Sequence, residues 1–207
     1  SYNALVKKTM ARESVIYVNF SQYDNTGRIL DYLCERFDTV LHFSFDHLRL
    51  KNGRKTNLIT LYQKGKRPFK NILYSLRVPP YLLFPSLPLV GILMVIQTIR
   101  HSIIFRPYLE KTTFFSVNAF PILIGIILRF LGIVSHVTYW VWDYFPVRGP
   151  DWTLRVIRYA YLIFDMIALR FADTLLFPNA GQLKLRQTLH GIHGSHRIIP
   201  LGSAKPH

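Results

Sequence analysis

Two short apolar runs, Ser14–Phe20 (SVIYVNF) and Thr39–Phe45 (TVLHFSF), bracket a polar turn and a single amphipathic stretch. Runs this short and this rich in β-branched and aromatic residues suit strands buried on both faces. Between them lies Ser21-Gln22-Tyr23-Asp24-Asn25-Thr26-Gly27, followed by Ile29, Leu30, Leu33, Cys34 and Phe37 at helical spacing. Asp24, Asn25 and Thr26 are each good helix N-caps. Strand, turn, helix, strand is a βαβ unit, and a crossover of this kind makes its strands parallel and its hand right. The pattern commits the chain to a sheet with helices packed on its faces.

The alternation continues. Asn57–Tyr62 (NLITLY) reads as a strand followed by a basic loop, Thr112–Phe120 as a strand, and Pro121–Leu131 as a helix with proline near its first turn. Val137–Phe145 (VTYWVWDYF) is the next strand, and Asp151 caps a helix running to Ala172. On that helix Arg155, Arg158, Asp165 and Arg170 cover an arc of roughly 140° at about 100° per residue, leaving a wide apolar face. Thr174–Phe177, Gly181–Leu189 and Arg197–Pro200 follow as strand, helix and strand. About seven strands alternating with helices predict an α/β fold with a Rossmann-like, doubly wound, mostly parallel sheet. With 207 residues the chain forms one sizeable core, so residues 1–207 are expected to be a single domain.

Charge narrows the partners. The chain has 26 basic and 11 acidic residues, a formal charge of +15. Between Asp46 and Glu110 there is no acid at all, against eleven cations from Arg49 to Arg106. The same stretch holds the uncharged run Val78–Ile99. Cations beside apolar surface suit anionic lipid headgroups, each contributing about 1 kcal/mol. Half the residues are hydrophobic and no Gly/Ser/Arg-rich tail is present, which argues against nucleic acid as the partner. The lone Cys34 forms no disulfide within the chain and fits a reducing compartment. No secretory leader is expected, because the first long apolar segment begins at Val78. That segment is long enough to span a bilayer, but Pro79, Pro80, Pro85 and Pro88 crowd its first half. A core helix from Ser86 to Ser102 is therefore expected, on a peripheral protein at the cytoplasmic face. The alternative is a membrane-embedded or membrane-anchoring subunit that recruits a partner.

Two segments are candidates for chemistry. The turn Asp24–Gly27 stands where a strand feeds a helix, and helix N-termini there offer amide N–H groups to phosphate or sugar oxygens. Tyr139-Trp140-Val141-Trp142-Asp143-Tyr144-Phe145-Pro146 ends an aromatic strand in an acid. Aromatic faces stack on sugar rings, and a carboxylate accepts hydroxyl hydrogen bonds or a proton. The bland alternatives are a core Trp pair and a turn-capping Asp. DxD, P-loop and GxSxG motifs are missing, and no Cys or acid after Asp173 completes a metal shell with His190, His193 and His196.

The order of these segments resembles the amino-terminal half of a family-four glycosyltransferase of GT-B fold. SVIYVNF-SQYDNTG-RILDYL is similar to the family's first strand, glycine-bearing loop and helix; VTYWVWDYFP to its acid-bearing middle strand; RFADTLLFPNAGQLKLRQ and RIIPLGS to its Ala-Asp strand and closing strand. The resemblance covers Ser14 to Ser203. It implies transfer of sugar from a nucleotide-sugar, without a metal or other cofactor, to an acceptor glycan or lipid-linked acceptor. It makes Asp143 the catalytic candidate, with Asp24, Asn25, Thr26, Gly27, Asn118, Trp142 and Tyr144 contacting substrate. The family's frequent histidine falls at Trp142, so no role for it carries over. The donor motif of the family, two glutamates separated by seven residues, cannot be built from Glu13, Glu35 and Glu110. A separate or missing donor-binding domain is therefore expected, and no transfer by residues 1–207 alone.

Overall fold

The computed structural model describes residues 13–19, 29–45, 57–75, 83–141, 152–192 and 194–199. In chain order the described elements are β1 (Ser14–Asn19), α1 (Ile29–Arg36), β2 (Thr39–Ser44), β3 (Leu58–Gln63), β4 (Phe69–Ile72), α2 (Leu83–Ile104), a 3-10 turn (Arg106–Tyr108), β5 (Thr112–Ser116), α3 (Ala119–Phe130), β6 (His136–Trp140), α4 (Trp152–Phe171), β7 (Thr174–Phe177), α5 (Ala180–His190) and β8 (Ser195–Ile198). They form one eight-stranded sheet in the order β4-β3-β2-β1-β5-β6-β7-β8. From β2 through β8 by way of β1 and β5 all pairings are parallel. The Rossmann-like doubly wound fold is as expected.

The strand order reverses between β1 and β5, and right-handed crossovers then put helices on opposite faces. On one face α1 places Ile29 and Leu33 over Val15, Tyr17, Val40, Phe115 and Val117. On the other, α2, α3 and α4 set Met94, Ile122, Leu128, Ala168 and Leu169 over Ile16, Val18, Leu41, Phe114, Val137 and Tyr139. The tightest seat is under α3. A Cβ on Gly125 would stand 2.4 Å from the Phe114 ring, so this helix lies as close to β5 as backbone permits.

Three expectations are corrected. The basic loop expected after Tyr62 contains a turn with Gly65 at φ 73°, and then β4. β2-β3-β4 is an antiparallel meander, so this end of the sheet is not a parallel crossover. The exposed edge strand carries Lys70, with Lys64, Lys66 and Arg67 in the turn before it. Charged edges discourage pairing with another sheet. Second, the helix read as Pro121–Leu131 starts at Ala119, because the Asn118 side chain accepts from Phe120 N at 3.3 Å and caps it. The strand before it correspondingly ends at Ser116.

The third correction concerns α2, which begins at Leu83 and carries both Pro85 and Pro88. Pro85 falls in the first turn, where the N–H has no helical partner to lose. The helix is not enclosed by the core. It turns Gly91, Met94, Gln97, Thr98 and Ser102 inward, while Leu89, Ile92, Ile96, Ile103 and Ile104 stay more than half exposed. A surface helix ordinarily does the reverse. Pro85–Ile104 is long and apolar enough to cross a membrane by length and composition, and only 28% of its apolar window is buried.

Candidate functional site

In open α/β sheets the crevice outside the carboxyl ends of the strands, where strand order reverses, is the place for ligands. Here that point lies between β1 and β5. β1 ends in Asn19, whose backbone carbonyl accepts from Phe45 N at 3.1 Å. Its side chain is 1% exposed, and among the described residues Oδ1 has no hydrogen-bond partner. β5 ends in Ser116, which donates from Oγ to the Val18 carbonyl at 2.8 Å and so ties the two strands across the switch point. Two residues on, Asn118 closes the crevice as the cap of α3. Both strand ends are buried, and Asn118 is the half-buried amide beside them.

A second orphaned polar atom stands on β2, the neighbour of β1 on its other side. His42 of β2 stacks on Tyr17 of β1 with ring centroids 5.0 Å apart and planes 18° from parallel. Its Nε2 is buried without a partner among the described residues. Burial lowers its pKa to about 4, so the ring is neutral near pH 7. A neutral imidazole offers one donor and one acceptor, and it does not serve as a cation for phosphate. An unsatisfied buried acceptor costs about 1–3 kcal/mol.

An apolar trough of about 540 Å³ opens beside Asn118. Leu87, Gly91 and Val95 of α2 form one wall, Ala160 and Phe164 of α4 the other, and Phe120 the floor. Phe120 and Phe164 meet edge to face at 5.3 Å. The trough sits at the carboxyl side of the sheet because α4 departs from the end of β6, and α2 descends toward the start of β5.

Asp24, Asn25, Thr26 and Gly27 lie outside the described residues, as do Trp142, Asp143 and Tyr144. The chain leaves β1 at Asn19 and β6 at Trp140, and these strands run parallel through β5, so it leaves both at one edge. Of the expected site residues Asn118 alone is described, and it stands at the crevice. Asn19 and His42 were not singled out in the sequence, where they sit inside strands. The single available signal was a polar residue at a position whose neighbours are all buried.

Other polar clusters are structural. Asp165, expected on the solvated arc of its helix, is fully buried: its Oδ2 accepts from Arg186 Nε at 3.1 Å and its Oδ1 from the Tyr139 hydroxyl at 2.7 Å. Burial, with the nearby Tyr161 and Asp165, raises the Tyr139 pKa well above the usual phenol value, which keeps this donor protonated. Asp173 accepts from Arg129 and from Val137 N at 2.8 Å, fastening α3 to the start of β6. Among the described residues no three His, Cys, Asp or Glu side chains gather as metal ligands do.

Compared with protein-family models, with curated proteins and with solved structures, the chain finds no match.

Proposed function

We propose that this domain is the acceptor-side half of a glycosyltransferase working at a membrane surface. The observation that carries the reading is the β1/β5 switch point, where Asn19 Oδ1 is buried without a partner among the described residues and Asn118 caps α3. An amide oxygen without a partner suits a sugar hydroxyl, which donates to it. The acid-bearing segment that the family resemblance marks as catalytic, Trp142-Asp143-Tyr144, follows the neighbouring parallel strand β6 at the same edge. In this reading Asp143 accepts the proton of the acceptor hydroxyl, or orients it, as the glycosidic bond to the nucleotide breaks. The donor is held by another domain, since residues 1–207 carry no two glutamates separated by seven residues.

The membrane surface enters through α2. A helix that faces inward with Gln97, Thr98 and Ser102 and outward with Leu89, Ile92 and Ile96 matches an apolar exterior. Phe69, Tyr74 and Tyr108 are exposed near its carboxyl end, where Arg100 and Arg106 stand. Aromatic and basic residues together suit the headgroup layer.

The test is transfer of label from a panel of radiolabelled nucleotide-sugars to lipid and glycan acceptors, with the chain assembled with its donor half. Asp143→Asn should lower turnover about 10²–10⁴-fold at an unchanged melting temperature. Equal turnover per folded molecule would remove Asp143 from the chemistry. Stoichiometric nucleotide-sugar binding by residues 1–207 alone would overturn the division of labour. Carbonate extraction addresses attachment, since a peripheral protein is released and a spanning one is retained.

A further inference from the structure

We infer that the trough between α2 and α4 seats the hydrocarbon chain of an amphiphilic acceptor, whose polar head then lies at Asn118 in the crevice. The inference rests on the glycosyltransferase reading and names its acceptor class. The volume, about 540 Å³, is within the range of roughly 300–1,000 Å³ typical of small-molecule sites. Its walls are aliphatic and aromatic, and Asn118 and the Tyr161 hydroxyl are the polar side-chain groups among the described lining residues. Asn118 uses Oδ1 to cap α3, and its Nδ2 has no partner among the described residues, so an amide donor remains for the head. One end of the trough is thus chemically unlike the rest, as an amphiphile requires.

Size and charge select the occupant. One turn of an α-helix with its side chains is about 10–12 Å across and about 5.4 Å long, on the order of 500 Å³. The trough would take a single such turn, too little for a helix-in-groove partner, whereas an extended hydrocarbon chain is far thinner. The floor supports this: Gly91 lies so close that a Cβ there would stand 3.0 Å from the Phe120 ring. The helices that form the surrounding face carry Arg100, Arg155, Arg158 and Arg170 on described elements, and their one acid, Asp165, is buried against Arg186. This complements an anionic bilayer. The rim residues Ile92 and Ile96 are 57% and 56% exposed, so a chain drawn from a bilayer enters without crossing polar surface.

The experiment titrates the fluorescent fatty acid cis-parinaric acid into the purified chain and into two variants with exposed sites. Ile96→Glu puts a charge on the trough wall; Ile103→Glu puts the same charge on α2 away from the trough, where Ile103 is 53% exposed. Saturable one-to-one binding is expected, weakened about tenfold or more by Ile96→Glu and unchanged by Ile103→Glu, with melting temperatures of all three alike. Non-saturable partition, or equal weakening by both variants, would overturn the trough while leaving transfer to a water-soluble acceptor intact. If Ile96→Glu melts early, Ile92→Glu on the same rim substitutes for it. Chain binding combined with transfer to water-soluble acceptors alone would overturn the acceptor assignment. Absence of all sugar transfer by the chain assembled with its donor half, with binding intact, would instead fault the glycosyltransferase reading on which the assignment rests.

Discussion

Asp165, Arg186 and Tyr139 form a buried cluster in which every charge has an answering group, and the Gln182 side chain accepts from Arg186 as well. Removing one member strands the others. Asp165→Ala should cost about 3–5 kcal/mol, because it leaves a guanidinium uncompensated in the core. In a chain of this size that is on the order of 10 °C in melting temperature. A double replacement, Asp165→Leu with Arg186→Met, should recover most of the loss, since apolar packing of similar volume often matches a buried pair. Differential scanning calorimetry of the three proteins tests both statements; a loss under about 1 kcal/mol in the single variant would mean that water reaches the pair. His42 makes a separate prediction in pH. Its folded pKa is about 4 against 6.5 unfolded, so between these values the unfolded chain binds more protons. Stability is therefore full above pH 6.5, falls as pH drops toward 4, and levels below that, by on the order of 3 kcal/mol in all. His42→Phe, which keeps a ring stacked on Tyr17, should flatten this part of the profile of melting temperature against pH. An unchanged slope would mean that other groups titrate there.

At the scale of elements, α2 and α3 carry opposite lessons. α3 is apolar throughout its inward face and is held by a cap and by Gly125 against Phe114. Gly125→Ala should destabilise by about 1–3 kcal/mol despite the better helix propensity of alanine, because the ring or the helix must move. α2 instead buries Thr98 and Ser102, whose hydroxyls find no hydrogen-bond partner among the described residues. Thr98→Val keeps the shape and removes the unsatisfied group, so thermal unfolding should occur about 1 kcal/mol later. A lower melting temperature would show that the hydroxyl is in use. Asn118→Ala separates cap from site in the same way. Loss of the cap alone costs about 1 kcal/mol. If Asn118 also holds the acceptor head, KM for the acceptor should rise in addition.

For the whole molecule the decisive property is the separation of charge. The formal charge of +15 is uneven, and the segment between Asp46 and Glu110 carries eleven cations and no acid. Binding to anionic vesicles should therefore weaken as salt is raised, since exposed charges are screened over about 8 Å at physiological ionic strength. Sedimentation with vesicles of phosphatidylglycerol and of phosphatidylcholine, each at low and high salt, measures this. Equal binding to both at every salt concentration would leave the apolar face of α2 as the whole attraction. Part of the basic segment has another task, because Lys64, Lys66, Arg67 and Lys70 belong to the edge hairpin and protect it from pairing.

The sequence by itself determined the alternation of strand and helix, and with it the parallel core of the sheet. Local hydrophobic period is enough for that, as Ser14–Asn19, Thr39–Ser44 and Thr174–Phe177 illustrate. Chirality then allows essentially one way to wind the crossovers. Asn118 reads as part of the strand Thr112–Phe120, and the structure sets it two residues past the end of β5 as the cap of α3. What tertiary structure alone decided are matters of direction and burial. β3 and β4 turn antiparallel because a tight turn at Gly65 returns the chain, and strand pattern says nothing about orientation. Asp165 looks solvated on its own helix and is buried by a residue from another one, Arg186. Gln97, Thr98 and Ser102 face inward on α2, against the apolar rule, because the surface left outside is the one that meets an apolar environment in our reading. Asn19 is a strand residue like its neighbours until the sheet order places its oxygen, unpaired among the described residues, at the switch point. Each of these depends on what lies across space from a residue, and a one-dimensional period carries no record of that.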